Sequence, residues 1–213
     1  MLNTAILQYH DLAILELRNP HFQVDADELR VSELTRRQVG PVLEVYGLVG
    51  HKIAEERVIK RFQNGLRFFQ LWHHDALAGT TWIISGSPRY VDELAWNLPV
   101  RQDELWIRDI FISPAFRGQR LFSSFLGLIA ACYWQACRCV WSDVSWSNKP
   151  SLRAHAFAGF QVRARAQAIN VAGRVLLRSE IMPWSVPVVE IEPTRQFIWL
   201  GPDRLRIHRE LIA

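Results

Sequence analysis

The run LFSSFLGLIAACYWQAC, from Leu121 to Cys137, contains no charged residue. It approaches the length that crosses a bilayer, yet Ser123, Ser124 and Gln135 interrupt it and Arg138 follows it directly. Those residues fit a helix buried in a protein core better than one in lipid. The N-terminal stretch MLNTAILQYHDLAILELRNP has no basic leader and carries Asp11 and Glu16 inside its apolar part, so it does not read as a secretory signal. With 213 residues, 49% of them apolar, the chain has enough material for one sizeable core with appendages.

The formal charge is +4 and rests on arginine, since Lys52, Lys60 and Lys149 are the only lysines. The arginines are spread along the chain without a basic block, which gives no support to nucleic-acid binding. Cys132, Cys137 and Cys139 form neither a CxxC pair nor a zinc pattern, and they read as reduced core thiols of a cytoplasmic protein.

Residues 28–34 read as a first strand, and Thr35 to Gln38, TRRQ, has capping-box spacing ahead of a helix that includes Val39, Val42, Leu43 and Tyr46. HKIAEERVIKRFQNG reads as a second helix with Ile53, Val58, Ile59 and Phe62 on one stripe, ended by Asn64-Gly65. Two aromatic strands follow, folded over a turn near His74 to Ala76. A polar loop then leads to the strand ELWIRDIFIS. After the apolar helix come the strand CRCVWSDV, the short helix KPSLRAHAFA and a hairpin around Gly173. This order implies an α/β (α+β) fold with a mixed sheet and helices on its faces. The domain limits expected are an N-terminal extension over 1–27, the main domain over 28–180 and an ordered appendage over 181–213, rich in proline and tryptophan.

Two stretches carry chemistry. In SPAFRGQRLFSSFLG a strand ends at a proline and turns straight into a helix, whose first N–H groups form a site for phosphate or carboxylate. Gly118 lets backbone approach such an anion, Arg117 and Arg120 add charge, and Ser123 and Ser124 add donors. The plain alternative is a turn with solvated arginines. In NKPSLRAHAFAGF each residue has a capping or core explanation of its own, with Asn148 at an N-cap and Gly159 past the C-terminus.

Taken together and in this order, the two stretches resemble the GNAT superfamily of acyl-CoA-dependent N-acyltransferases. The resemblance covers about residues 28 to 180. IFISPAFRGQRLF is similar to the family's fourth strand and pyrophosphate loop, NKPSLRAHAFAGF to its N-x-x-[SA] helix ending in Gly-Phe, and ALAGTTWI around Gly79 to its third strand. The resemblance implies a mixed, mostly antiparallel splayed sheet flanked by helices, with the pantetheine arm of acetyl-CoA or another acyl-CoA beside strand four. Ile110, Phe111 and Ile112 would bond that arm through their backbone. Arg117, Gly118, Gln119, Arg120, Leu121 and Phe122 would cradle the pyrophosphate, and Asn148 and Ser151 would complete the cofactor contacts. Arg120 and Phe122 stand where the family motif has small residues, and Arg120 could swing over a phosphate as a clamp.

His155 stands where many members of the superfamily carry a tyrosine that protonates the departing thiolate. It reads equally as a helix histidine fixed by local hydrogen bonds. Asp109, inside an apolar strand, is the candidate base for the attacking amine, with a salt bridge to an arginine as its alternative. Asp92, Glu93, Asp103 and Glu104 lie in or beside the loop before that strand, where solvation explains them as well as attraction of a cationic substrate. His73-His74-Asp75 invites a metal reading, but adjacent strand residues face opposite ways, so no metal is expected there. Trp141 and Trp146 read as core or wall.

The expected activity is N-acyl transfer, in the first place N-acetyl transfer, from acyl-CoA to a small-molecule or peptide amine by direct attack. A catalytically silent acyl-CoA or partner-binding module, and transfer from an acyl carrier protein, are the alternatives. No nucleic-acid or membrane partner is expected, and a homodimer is one compatible assembly.

Overall fold

The computed structural model describes residues 7–18, 20, 28–91, 93–94, 96–134, 137–171, 174–181, 196–200 and 205–208. The elements begin with strands β1 (Leu7–Arg18) and β2 (Leu29–Leu34), a 3-10 turn Arg36–Gln38, and helices α1 (Val39–Leu48) and α2 (Glu55–Gln63). Strands β3 (Arg67–His73), β4 (Ala76–Ile84), β5 (Arg89–Val91), β6 (Trp96–Leu98) and β7 (Glu104–Ile112) follow. A second 3-10 turn, Pro114–Phe116, leads into α3 (Leu121–Tyr133). The chain continues with β8 (Cys139–Ser145), α4 (Lys149–Phe157), β9 (Gln161–Val171), β10 (Arg174–Ile181), β11 (Gln196–Leu200) and β12 (Leu205–His208).

The chain divides into two compact units. One comprises Leu17–Ser87 and Val100–Trp141. Here β2, β3, β4 and β7 pair antiparallel in the order β7-β4-β3-β2. Phe68 and Phe69 are adjacent on β3 and point to opposite faces, yet both are fully buried. Both faces of these strands are therefore covered. On one, Phe68 meets Tyr46 of α1 and Trp82 of β4, and Phe62 of α2 lies 5.0 Å from Trp82 between ring centroids. On the other, Phe69 packs on Tyr133 and Trp134 at the end of α3. The uncharged run supplies that second cover through buried Leu121, Phe125, Leu126, Leu128 and Ile129, and its helix stops at Tyr133 rather than reaching Cys137.

The helix starts follow from local chemistry. The expected capping box is present at Thr35 and Gln38, and in it the Thr35 backbone N–H donates to the Gln38 side chain at 3.0 Å. Helix α2 begins at Glu55, so Ile53 lies outside it; Glu55 and Glu56 occupy its first turn and Lys60 and Arg61 its last, matching the helix dipole. Asn64 and Gly65, at φ +78°, end it as expected.

The other unit comprises Met1–Glu16, Pro88–Pro99 and Ser142–Ala213. Its strand order is β12-β11-β10-β9-β1-β8, antiparallel at β1–β9, β9–β10 and β11–β12 and parallel at β10–β11. Strand β1 corrects the expectation that the first strand is 28–34. Leu7 to Glu16 pair along β9, with Leu12, Ala13, Ile14 and Leu15 buried. The charges that interrupt this apolar stretch are matched by β9: Arg165 donates Nε and Nη2 to the Asp11 carboxylate at 2.8 and 2.7 Å, and Arg163 lies 3.5 Å from Glu16. The polar loop before β7 is likewise more structured than expected. It holds the β5–β6 hairpin, with Val91, Leu94 and Leu98 buried. Asp92, the turn at Gly173 and residues 182–195 lie outside the described residues.

No helix among the described residues is long and apolar enough to cross a membrane. Of the three cysteines only Cys139 is buried; Cys132 is exposed, which corrects its assignment to the core, because it falls on the outward side of α3. Burial pushes the Cys137 thiol up to about 11.

The Arg165 guanidinium holds the Asp11 carboxyl below its ordinary value of 3.8. A depressed carboxyl stabilises the fold above its unfolded value, and that stability is lost as pH falls through the folded one. Asp11→Asn is expected to cost roughly 1–2 kcal/mol at pH 7 in urea unfolding, with the gap from the parent protein narrowing below about pH 4.

Candidate functional site

Strands β4 and β7 are out of step at one point. Thr80 faces Phe111 and Trp82 faces Arg108, so Asp109 and Ile110 together stand opposite Thr81. This is a β-bulge, which kinks the strand and re-aims its side chains. Asp109 adopts φ +51°, a left-handed conformation that aspartate tolerates better than most residues. The Thr81 hydroxyl donates to the Arg108 carbonyl at 3.3 Å. Just beyond the bulge, Gly79 permits close approach: a Cβ there would lie 2.7 Å from the Phe111 carbonyl oxygen and 2.9 Å from Ile112 Cδ1.

The bulge turns Asp109 toward helix α2. Its carboxylate accepts from Arg61 Nη2 at 2.5 Å, and Arg108 Nε lies 3.9 Å away because the bulge breaks the alternation that would separate neighbours. Arg61 is only 7% exposed, whereas the Asp109 side chain is half exposed. The salt bridge anticipated as the alternative role of Asp109 is therefore present, with its partner on a helix. The same guanidinium donates Nη1 to the Tyr46 hydroxyl at 3.0 Å, and Trp82 Nε1 donates to that oxygen at 2.8 Å. Burial pushes the Tyr46 phenol above its ordinary range. Tyr46, Arg61 and Trp82 escaped the sequence reading. The available signal was Arg61 itself, three residues after Val58 and so on the inward side of an amphipathic helix.

Strand β7 runs on through Ile110, Phe111 and Ile112 to the turn at Pro114–Phe116 and then to α3. Arg117 folds back over this strand end: Nε donates to the Ile112 carbonyl at 3.2 Å, and the guanidinium lies 5.7 Å from the Phe111 ring centroid. His51 meets the same ring edge-on at 5.6 Å. Gly118 has φ +82°, and nothing lies within 4 Å of where its Cβ would be. Gln119 donates to the Ala115 carbonyl at 3.4 Å. Arg120 occupies the N-cap of α3 in a left-handed conformation and places no side-chain acceptor on the first turn of Leu121, Phe122 and Ser123. The positive end of the helix thus opens beside Gly118, and the Arg120 side chain does not cap it.

In the other unit, Asn148 caps α4 by accepting from the Ser151 backbone N–H at 3.2 Å. His155 is 1% exposed. Its Nδ1 is 2.8 Å from the Ser151 carbonyl oxygen, so that nitrogen carries the proton and donates, and Nε2 accepts from the Ser142 hydroxyl at 2.9 Å. Burial pulls its pKa down to about 4. The imidazole is thus neutral and fixed between α4 and β8, the arrangement of the local-bonding alternative. Trp146 is flanked by Arg165 and Lys149, at 4.6 and 4.9 Å from its ring; Trp141, which belongs to the first unit, stacks there on Trp106.

The expected residues therefore fall into two sets, Asp109 to Phe122 in one unit and Asn148, Ser151 and His155 in the other. A protein described as a GNAT-family acetyltransferase, from Novosphingobium aromaticivorans, superposes with a TM-score of 0.51 at 14% identity, covering 79% of this chain and 69% of its own. The chain has the GNAT fold. A conserved protein of unknown function from Staphylococcus epidermidis superposes with the same TM-score at 10% identity, over 76% of this chain and 61% of its own. No protein-family model and no curated protein matches the sequence. At such identities the GNAT likeness is one of fold alone.

Two outcomes follow from this geometry. A histidine depressed to about 4 from 6.5 leaves stability intact above pH 6.5 and erodes it progressively down to pH 4. Unfolding measured across that range is expected to show a loss approaching about 3 kcal/mol that His155→Gln largely removes. Gly79→Ala is expected to cost about 1–3 kcal/mol, since its methyl must displace the β7 backbone, and to broaden the amide resonances of Phe111 and Ile112.

Proposed function

We propose that this protein is an acyl-CoA-dependent N-acyltransferase, acting on a primary amine and using acetyl-CoA in the first place. The observation that carries the reading is the bulge at Asp109 and Ile110 in a strand that leads, through Gly118 at φ +82°, into the N-terminus of α3, on a GNAT fold.

The residues present suit an acyl-CoA. The space around Gly118 admits a phosphate to the backbone of residues 117–122, where helix N–H groups and the dipole favour negative charge. Arg117 now covers the Ile112 carbonyl; a phosphate, as a charged acceptor, outcompetes a neutral carbonyl for that guanidinium. Its withdrawal would leave the carbonyl to an amide of the pantetheine arm along Ile110 to Ile112. The cofactor supplies an activated thioester, and the protein's task is to orient it and the amine.

In this reading the neutral amine forms the new N–C bond as the C–S bond breaks. The amine's surplus proton passes toward Asp109, directly or through water, and the departing sulfur is protonated by solvent. The Arg61–Tyr46–Trp82 network holds the Asp109 carboxylate in place. His155, with both ring nitrogens engaged, positions α4. That engagement also favours a second reading, a GNAT-fold module that binds acyl-CoA without turnover.

Calorimetry with acetyl-CoA and free CoA tests the cofactor. Micromolar binding is expected for the parent protein, weakened ~10-fold or more by Gly118→Asp, which places a carboxylate at the phosphate position. With a responsive amine from an acceptor screen, Asp109→Asn is expected to lower kcat by roughly 10²-fold while leaving CoA affinity unchanged. Binding without any acylated amine supports the silent module; no binding removes the acyl-CoA reading.

A further inference from the structure

The tip of the β3–β4 hairpin assembles three metal-ligating side chains. His73 ends β3 and pairs with Ala76, so His74 and Asp75 form the two-residue turn between them. His74 has φ +51°, and this breaks the alternation expected of neighbouring strand residues. Both imidazoles consequently reach the same carboxylate: Nε2 of His73 lies 3.1 Å, and Nε2 of His74 3.8 Å, from Glu28 Oε2. The three ligand atoms all lie within 4.8 Å of one another. The alternation on which the expectation of no metal rested does not hold at this turn.

We propose that Glu28, His73 and His74 bind a divalent transition-metal ion of the Zn2+ class. The separations from Glu28 fit: in a tetrahedral site with bonds near 2.0–2.2 Å, ligand atoms stand about 3.3–3.6 Å apart, between the two distances to Glu28. The donors fit as well, since two neutral imidazoles and one carboxylate suit Zn2+, Co2+ and Ni2+ and offer too few oxygens for Ca2+ or Mg2+. The set is held before any ion arrives. The His74 backbone N–H donates to the Glu28 carbonyl at 3.0 Å, Leu29 pairs with His73 across β2 and β3, and the His73 ring packs 5.5 Å from Phe116.

Binding has the metal take the place of the proton between His73 Nε2 and Glu28, the imidazole proton moving to Nδ1, while the exposed His74 side chain closes on the ion. Glu28 and His74 are largely exposed, which leaves the remaining coordination position to water. An ion bound here would brace the hairpin tip against the Pro114–Phe116 turn that leads to Gly118. The site does not depend on acyl-CoA chemistry.

Titration of the full-length protein with Co2+ provides the test, read by the visible d–d absorption of tetrahedral cobalt and by displacement with Zn2+. The expected result is saturation at one Co2+ per chain, with affinity falling ~10-fold or more in His73→Ala, His74→Ala and Glu28→Gln and unchanged in Cys132→Ser. Because His74 and Glu28 are exposed, their variants keep the fold, which far-UV circular dichroism verifies. Absence of saturable absorption, equal affinity in the parent and the three variants, or a thiolate charge-transfer band lost in Cys132→Ser would overturn the site.

Discussion

Two adjacent phenylalanines on β3, both fully buried, dictate the architecture around them. Neighbouring strand residues point to opposite faces, so burying Phe68 and Phe69 together requires cover on both sides. Helices α1 and α2 provide one cover through Tyr46 and Phe62, and α3 provides the other through Tyr133. The uncharged helix and the aromatic hairpin are thus complementary features: each would be insoluble without the other. Deleting either aromatic would open a cavity of the kind that costs about 3–5 kcal/mol, a large share of a domain's net stability.

The candidate site is built on a departure from that regular frame. A sheet strand has its backbone groups committed to its neighbours, and a bulge releases a residue from the ladder. At Asp109 the release also redirects a carboxylate to a buried arginine, and the same arginine secures Tyr46 and, through it, Trp82. A single register shift therefore connects the strand proposed to hold the cofactor with the helices that cover it. Gly79 belongs to the same arrangement, since only a residue without Cβ lets β4 approach the Phe111 carbonyl so closely.

Arg117 and His155 illustrate how residues chosen for chemistry can be engaged in structure. Arg117 lies across the strand end, with Nε donating to the Ile112 carbonyl. His155 is buried, neutral and bonded at both nitrogens. His155 reflects the rule that a polar group removed from water is bonded to a partner within the protein.

Much of the fold was legible from one dimension. The capping residues of the first turn, the Asn64-Gly65 stop, the β3–β4 hairpin, the strand-to-helix turn at Gly118 and the Asn148 cap are all set by residues within a few positions of one another, and local sequence encodes them. Strand β1 was not legible, because Asp11 and Glu16 break its apolar pattern and their partners, Arg165 and Arg163, stand far along the chain. The Arg61–Asp109 pair, the neutrality of His155 and the gathering of Glu28 with His73 and His74 were decided only by tertiary structure. Each depends on a bulge, a burial or a turn that brings together groups from separate elements, and no spacing rule along the sequence carries that information.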